Sequence, residues 1–201
     1  MTKIKLCGLR READIEYANQ LLPDYIGFVF ARSSKRYVSP EEALELRKKL
    51  SPEIIPVGVF VDEVPETIAE YVSRGIIDVV QLHGHEDNEY IKRLRELTSA
   101  PIIQAFKIAC CEDVRRANNS AGDYVLLDSG SGSGEVFDHS LIKDIDRSFF
   151  LAGGLTPENV GEAVKKAAPY AVDASSALEI NGQKVYNKMQ AFIDAIRRKD
   201  E

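Results

Sequence analysis

The amino-acid sequence predicts an α/β fold, a single (β/α)8 barrel that takes in residues 1–201. Three observations predict it: short apolar runs alternate with helix-like segments, eight such pairs follow one another, and runs such as 57–61 are continuously apolar. Continuously apolar strands are typical of parallel sheets, which are covered on both faces. Because each unit has only about 25 residues, a compact closed barrel is favoured over its alternative, an open doubly wound sheet.

The predicted elements follow one another with short connections. Two helix starts are explicit, because Ser39 precedes Pro40 and Thr156 precedes Pro157, a capping hydroxyl followed by a proline suited to the first turn. The glycine-rich residues 129–134 match no nucleophile or nucleotide-binding motif and predict a flexible loop, a candidate lid. The predicted strands are 3–7, 24–30, 54–61, 77–82, 101–107, 123–128, 149–152 and 170–174. The predicted helices are 11–22, 40–50, 65–74, 86–98, 112–119, 139–145, 157–168 and 185–198.

Composition excludes several classes of partner. The formal net charge of −6 argues against broad attraction to nucleic acid or to an anionic membrane. The longest apolar run, 54–61, is far shorter than the roughly 20 residues that span a bilayer. Because charged residues begin at the third position, we expect no export signal. Cysteines at 7, 110 and 111 form neither a disulfide framework nor a C-x-x-C motif. We therefore expect a reducing, cytoplasmic location.

Chemically useful side chains stand where the predicted strands end. In a (β/α)8 barrel the active site lies at these strand ends and in the loops that follow them. Glycines and hydroxyls follow strands seven and eight, where backbone N–H groups and serine donors can bind a phosphate. The candidates are Cys7, Arg36, Gln81, His83, Lys107 and Asp128, with Gly153, Gly154, Asp173, Ser175 and Ser176 for the phosphate. A thiol, a carboxylate and a phosphate site together favour acid/base chemistry on a sugar phosphate.

Each candidate also has an ordinary structural explanation. A cysteine on a strand is often a small buried apolar residue, and an aspartate before a serine can simply start a turn. Among Arg32, Lys35 and Arg36, at least one is expected to be a solvated loop residue; the planar guanidinium of Arg36 suits a carboxylate. The histidines at 83 and 85 are metal-ligand types without a third ligand, so we expect no metal.

Seven motifs occur in order at successive strand ends. They are KLCGL at 5–9, GFVF at 27–30 followed by SKRY at 34–37, VGVFV at 57–61, VQLHG at 80–84, LLDS at 126–129, AGGLTPENV at 152–160 and VDASS at 172–176. In this order, and over almost the full length, the chain resembles the phosphoribosylanthranilate isomerase family. One departure is Ala177, where that family usually has a glycine in the turn proposed to hold phosphate.

The resemblance implies a tryptophan-biosynthesis enzyme that needs neither a metal nor an organic cofactor. It would carry out an Amadori rearrangement of N-(5-phosphoribosyl)anthranilate to 1-(2-carboxyphenylamino)-1-deoxyribulose 5-phosphate. By the same resemblance Cys7 is the general base, Asp128 the general acid, and Arg36 the group that binds the anthranilate carboxylate. We expect Gln81, His83 and Lys107 to contact the substrate. The partner is then a small sugar phosphate, and the assembly a monomer or weak homodimer.

The thiol needs help to act as a base, since its ordinary pKa is about 8.5. Lys5 lies two residues earlier on the same strand face and is expected to lower the pKa of Cys7. If the barrel closes, strand eight lies beside strand one, and Asp173 is expected to pair with Lys5 and moderate its field.

Two alternative functions stay open. A related barrel could act as an epimerase or as a histidine-pathway isomerase, but the first favours metal-binding histidines and the second a pair of aspartates in place of the thiol. The chain could also be a non-catalytic sensor of a phosphorylated metabolite. A sensor has no need of both proton-transfer residues.

Overall fold

Eight parallel strands close into a barrel in the computed structural model, which describes residues 1–128 and 141–197. Each strand pairs with the next along the chain, and the last pairs with the first. The strands are β1 (Lys3–Cys7), β2 (Tyr25–Val29), β3 (Ile55–Phe60), β4 (Val79–Leu82), β5 (Ile102–Lys107), β6 (Tyr124–Asp128), β7 (Phe149–Ala152) and β8 (Ala171–Ala174). The predicted barrel is confirmed, and the open sheet is wrong.

Helices cover the outside of this barrel. They are α1 (Glu12–Leu21), α2 (Pro40–Lys49), α3 (Pro65–Ser73), α4 (Asn88–Leu97), α5 (Cys111–Asn118), α6 (Val160–Ala167) and α7 (Tyr186–Arg197). Before α7 come a 3-10 helix (Ser176–Leu178) and a short antiparallel hairpin of β9 (Glu179–Ile180) and β10 (Gln183–Lys184). None of the helices in the described ranges is long and apolar enough to cross a membrane.

Two of the helix predictions need correction. The capping box at Ser39 is present, but residues 157–159 form a turn, so that α6 begins only at Val160. Thr156 caps this turn instead of the helix, since its Oγ1 accepts from the Glu158 backbone N–H. In the predicted helix 139–145, residues 141–144 form a turn, while 139 and 140, like the candidate lid 129–134, lie outside the described residues.

The barrel interior changes character from one end to the other. Aromatic rings fill the end at which the strands begin: Tyr124 stacks on Tyr170, and the hydroxyl of Tyr170 lies 2.9 Å from that of Tyr25. At the opposite end the interior layer contains the small side chains of Cys7, Val29 and Val59. This second end leaves room for a ligand, as expected at the carboxyl ends of barrel strands.

A buried ion pair lies between these two layers. Lys5 is fully buried, and its Nζ donates to Asp173 Oδ2 at 2.7 Å across the β1–β8 seam. The predicted pairing is confirmed. Removing a charge from water costs desolvation energy. The attraction between the two charges offsets this cost only when both side chains are present. The seam that closes the barrel therefore depends on both partners.

Removing one partner of this pair is expected to destabilise the protein strongly. Lys5→Met should lower the free energy of unfolding by about 3–5 kcal/mol, because it leaves a buried carboxylate unpaired. Urea denaturation at pH 7 measures this. Lys3→Met is the matched control: Lys3 pairs with Asp24 at the exposed surface, so its loss should cost no more than about 1 kcal/mol. Equal losses in the two variants would contradict the structural role of the seam pair.

Candidate active site

A cavity of about 350 Å³ opens at the carboxyl ends of the strands. This volume is within the usual range for small-molecule sites. Every predicted site residue except Lys107 lines it: Cys7, Arg36, Gln81, His83, Asp128, Gly153, Gly154, Asp173, Ser175 and Ser176. Residues that are far apart in the sequence thus meet in one cavity because the barrel closes.

Cys7 is buried at the end of β1, facing this cavity. Burial raises the pKa of the Cys7 thiol; Lys5 and Lys184 oppose this effect by attracting the thiolate, while Asp173 adds to it by repulsion. Burial outweighs the nearby cations. Lys5 lowers the pKa of Cys7 as expected, but burial holds that pKa above its ordinary value.

Gly27 makes room for the thiol. It is the register partner of Cys7 on β2, and a Cβ at this position would lie 2.7 Å from Cys7 Sγ and 3.2 Å from Cys7 Cα. Carbon and sulfur atoms cannot approach so closely, and backbone cannot easily move inside a sheet. The glycine of the GFVF motif therefore determines where the sulfur lies, a role that was not apparent from the sequence.

Three polar side chains form a row on the opposite wall. Gln81 is buried, and its Nε2 lies 3.0 Å from His83 Nδ1, within hydrogen-bond distance. His83 Nε2 lies 3.9 Å from Asp128 Oδ2, at ion-pair distance but too far for a hydrogen bond. Gln81 Oε1 is buried with no hydrogen-bond partner among the described residues. The row thus brings a carboxyl group and an oriented imidazole to the cavity.

Arg36 reaches the cavity across the end of β1. Its Nε and Nη2 donate to Glu179 Oε1 and Oε2 at 2.6 and 2.9 Å, a bidentate ion pair. Gly8 allows this path, because a Cβ there would overlap the Cδ of Arg36, and its φ of +81° is one that residues with a Cβ rarely adopt. One edge of the guanidinium is thus already occupied by protein.

The proposed phosphate side is formed by the β7 and β8 loops. Gly153 and Gly154 have φ values of 89° and 62°, a backbone conformation that favours glycine. Ser175 Oγ donates to the carbonyl of Cys7 at 2.9 Å, so its single O–H is not available to a phosphate. Ser176 begins the 3-10 helix, and Ala177 follows it without a positive φ, so its methyl group causes no backbone strain.

Among the predicted site residues, Lys107 lies outside the cavity, and Asp173 lines it but is not suited to bind a phosphate. Asp173 borders the cavity but is held by Lys5, and its negative charge would repel a phosphate rather than bind it. Lys107 is exposed and lines an outer groove with Arg116 and Asn119 instead of the central cavity. Strand order alone placed Lys107 correctly at the end of β5, but it could not say where a long side chain extends.

Glu179 and Lys184 were missed by the sequence analysis. They lie opposite each other on β9 and β10, and Lys184 Nζ donates to Glu179 Oε1 at 2.7 Å. A signal was available: Asn181-Gly182, both with positive φ, is the two-residue turn most typical of a tight hairpin. Within residues 1–128 and 141–197, no group of three His, Cys, Asp or Glu side chains could hold a metal ion.

Comparison with known proteins decides the family. The model of the family described as N-(5'-phosphoribosyl)anthranilate (PRA) isomerase matches residues 4–195. The chain belongs to this family. Family membership makes the chain an isomerase of tryptophan biosynthesis.

Its relatives support this over their whole length. The N-(5'-phosphoribosyl)anthranilate isomerase of Caldanaerobacter subterraneus subsp. tengcongensis is 45% identical, over 98% of this chain and 98% of the relative. That of Endomicrobium trichonymphae is 42% identical, over 98% of this chain and 99% of the relative. The crystal structure of the Thermotoga maritima isomerase has a TM-score of 0.90 at 37% identity, covering 98% of this chain and 100% of that one.

A second solved structure is that of a family member with a ligand. It is a phosphoribosyl anthranilate isomerase in complex with reduced 1-(o-carboxyphenylamino)-1-deoxyribulose 5-phosphate. Its TM-score is 0.89 at 37% identity, and the match covers 98% of this chain and 100% of that one. The isomerase family thus supplies an example that binds a small sugar phosphate carrying an aromatic carboxylate.

Gly27→Ala should displace the Cys7 sulfur and lower kcat by about 100-fold, the effect typical of a 1 Å misplacement of a reacting group. Gly58→Ala is the matched control on β3, where the added methyl would overlap Ile77 and Phe60 rather than the thiol. The control should lose stability but keep its kcat. Thermal melting and steady-state kinetics on both variants separate the two effects, and an unchanged kcat in Gly27→Ala would contradict the role of Gly27.

The acid side of the kcat/KM pH profile should move in opposite directions in two variants. Lys5→Met removes the cation that favours the Cys7 thiolate and should shift the limb to higher pH. Asp173→Asn removes the anion that opposes it and should shift the limb to lower pH. The profile of kcat/KM reports groups of the free enzyme. Limbs that stay with the wild type in both variants would show that another group controls this ionisation.

Proposed function

We propose that the chain converts N-(5'-phosphoribosyl)anthranilate to 1-(2-carboxyphenylamino)-1-deoxyribulose 5-phosphate, with Cys7 as general base and Asp128 as general acid. One observation carries the proposal: a thiol from β1 and a carboxyl group from β6 line the same cavity, beside the glycine-rich β7 loop. These two strands are separated around the ring by β7 and β8. Base and acid can therefore reach a bound ligand from different sides.

The reaction begins with two proton transfers at different atoms. Asp128 delivers a proton to the ring oxygen as the bond from that oxygen to C1' breaks, and the nitrogen lone pair forms a C1'=N double bond. The Cys7 thiolate then removes the proton from C2', and the electrons of that C–H bond form C1'=C2' while the nitrogen regains its lone pair. The resulting enol becomes the ketone when C1' gains a proton and the C2' hydroxyl loses its own. No redox partner is needed, because C1' is reduced as C2' is oxidised.

Two nearby cations support this role of Cys7. A buried thiol is mostly protonated near neutral pH, and a base must be in its thiolate form. Lys5 and Lys184 both favour the thiolate, which offsets part of the cost of burial. The buried position also keeps water from competing for the C2' proton.

The remaining cavity residues bind the two ends of the substrate. Arg36 pairs with the anthranilate carboxylate, and Gln81 and His83 line the wall beside the aromatic ring. The backbone N–H groups of Gly153, Gly154 and Ser176 are suited to the phosphate. Ser175 supports β1 through its hydrogen bond to Cys7. In this proposal Lys107 does not contact the substrate, and Asp173 does not contact the phosphate.

The setting follows from the same chemistry. Cys7, Cys110 and Cys111 are all free, and a base thiol must stay reduced to work. We therefore place the enzyme in the cytoplasm. Its substrate is small enough for one barrel to enclose, so a monomer or weak homodimer suffices for activity.

The fluorescence of the anthranilate ring, which changes during turnover, provides the test. Cys7→Ser and Asp128→Asn should each lower kcat by about 10²- to 10⁴-fold, the usual contribution of a positioned acid or base. Cys111→Ser, at an exposed cysteine, is the matched control and should retain wild-type rates. Activity within tenfold of wild type in both site variants would defeat the assignment. A wild type that binds the substrate without turning it over would support the sensor alternative.

A further inference from the structure

The hairpin that follows β8 is fixed in place from two sides. Its tight turn contains Asn181 and Gly182. Arg11, at the start of α1, donates from Nη1 to Gln183 Oε1 and from Nη2 to the Lys184 carbonyl, both at 2.8 Å. Arg11 in turn forms an ion pair with the buried side chain of Asp14. The hairpin is therefore a firm platform at the cavity rim rather than a loose connection.

Two charged side chains project from this platform into the protein. Glu179 and Lys184 have side-chain exposures of only 7% and 1%. Lys184 Nζ has three acceptors: Glu179 Oε1 at 2.7 Å, the Ser175 carbonyl at 2.9 Å and Ser175 Oγ at 3.3 Å. An ammonium with three acceptors for its three donors is fully satisfied. Removing these two charged side chains from water costs desolvation energy. Their burial therefore indicates a purpose other than stability.

The edges of the Arg36 guanidinium suggest that purpose. Glu179 occupies the edge formed by Nε and Nη2. The planar guanidinium carries five N–H donors, so the end formed by Nη1 and the second N–H of Nη2 is left for a further bidentate partner. No described residue accepts a hydrogen bond from Nη1, and Arg36 lines the cavity. The free end of a fixed guanidinium matches the geometry of a carboxylate.

The charges of this cluster also favour an incoming anion. Arg36 and Lys184 are two cations against the single anion Glu179. Lys184 thus neutralises Glu179, and one net positive charge remains at the guanidinium. If Glu179 only competed with the substrate for Arg36, its charge would not need to be neutralised by the buried Lys184.

We propose that Glu179 is a positioning residue that orients Arg36, so that the Nη1 and Nη2 end faces the substrate carboxylate, with Lys184 keeping the charge of Arg36 available. The proposal rests on the proposed contact between Arg36 and the anthranilate carboxylate. Glu179 touches neither the substrate nor the reacting atoms; it acts through Arg36. Its loss should therefore weaken binding and leave proton transfer nearly intact.

The kinetic test compares Glu179→Gln with the wild type. We expect KM for N-(5'-phosphoribosyl)anthranilate to rise on the order of 10- to 100-fold, as for the loss of a bidentate charged contact, with kcat changed less than about threefold. The Kd for reduced 1-(o-carboxyphenylamino)-1-deoxyribulose 5-phosphate should rise in parallel. Ile180→Thr, at an exposed position of the same hairpin, is the matched control and should match the wild type in all three. Glu179→Asp, which keeps the charge but shortens the side chain, should give intermediate values and serves if Glu179→Gln does not fold.

A double variant and a substrate analogue separate this inference from the proposed function. Arg36→Met and Arg36→Met/Glu179→Gln should have the same KM, and N-(5'-phosphoribosyl)aniline, which has no carboxylate, should give equal KM values in wild type and Glu179→Gln. If Arg36→Met leaves KM unchanged, the carboxylate contact itself fails, and the inference fails with it. If Arg36→Met raises KM but Glu179→Gln does not, the contact stands and the positioning role is overturned. A lower KM in Glu179→Gln would also overturn it, by showing that Glu179 competes with the substrate.

Discussion

The Lys5–Asp173 ion pair at the β1–β8 seam is the interaction on which the rest of the structure depends. It lies inside the barrel, below the cavity, where the first and last strands meet. Closure at this seam brings Cys7 beside Ser175, which is 168 residues away in the chain, and their hydrogen bond fixes the end of β1. Without closure there would be no common cavity for β1 and β6. A single buried pair thus supports the fold and lies within electrostatic reach of the proposed base.

Stability and chemistry are divided between the two ends of the barrel. Interlocking tyrosine rings fill the end where the strands begin, and they bury a large apolar area. The other end has small side chains and glycines. They make fewer apolar contacts, but they leave space for the cavity. Gly27 leaves space for the sulfur of Cys7 and Gly8 for the side chain of Arg36, so these two glycines determine where the thiol and the guanidinium lie in the cavity.

The electrostatics of the cavity are a balance between burial and nearby charge. Burial holds the pKa of Cys7 above its ordinary value, and the surrounding cations bring it only part of the way back. The same ammonium of Lys184 that attracts the thiolate also neutralises Glu179, and its own pKa is lowered by burial. The proposed base and the proposed carboxylate site therefore both lie within reach of the charge of Lys184.

The order of the elements and the residues at the strand ends could be predicted from the sequence, because apolar periodicity and capping are local and each strand end is set by its own segment. The turn at 141–144 escaped prediction since a few apolar residues fit a turn as well as a helix. Only the tertiary structure decided that Ser175 donates its hydroxyl hydrogen to the Cys7 carbonyl and that Glu179 pairs with Arg36. It also decided that Lys107 extends outside the cavity, and that burial has a larger effect than Lys5 on the pKa of Cys7. Hydrogen-bond partners 143 or 168 residues apart, and the degree of desolvation, exist only once the barrel has closed.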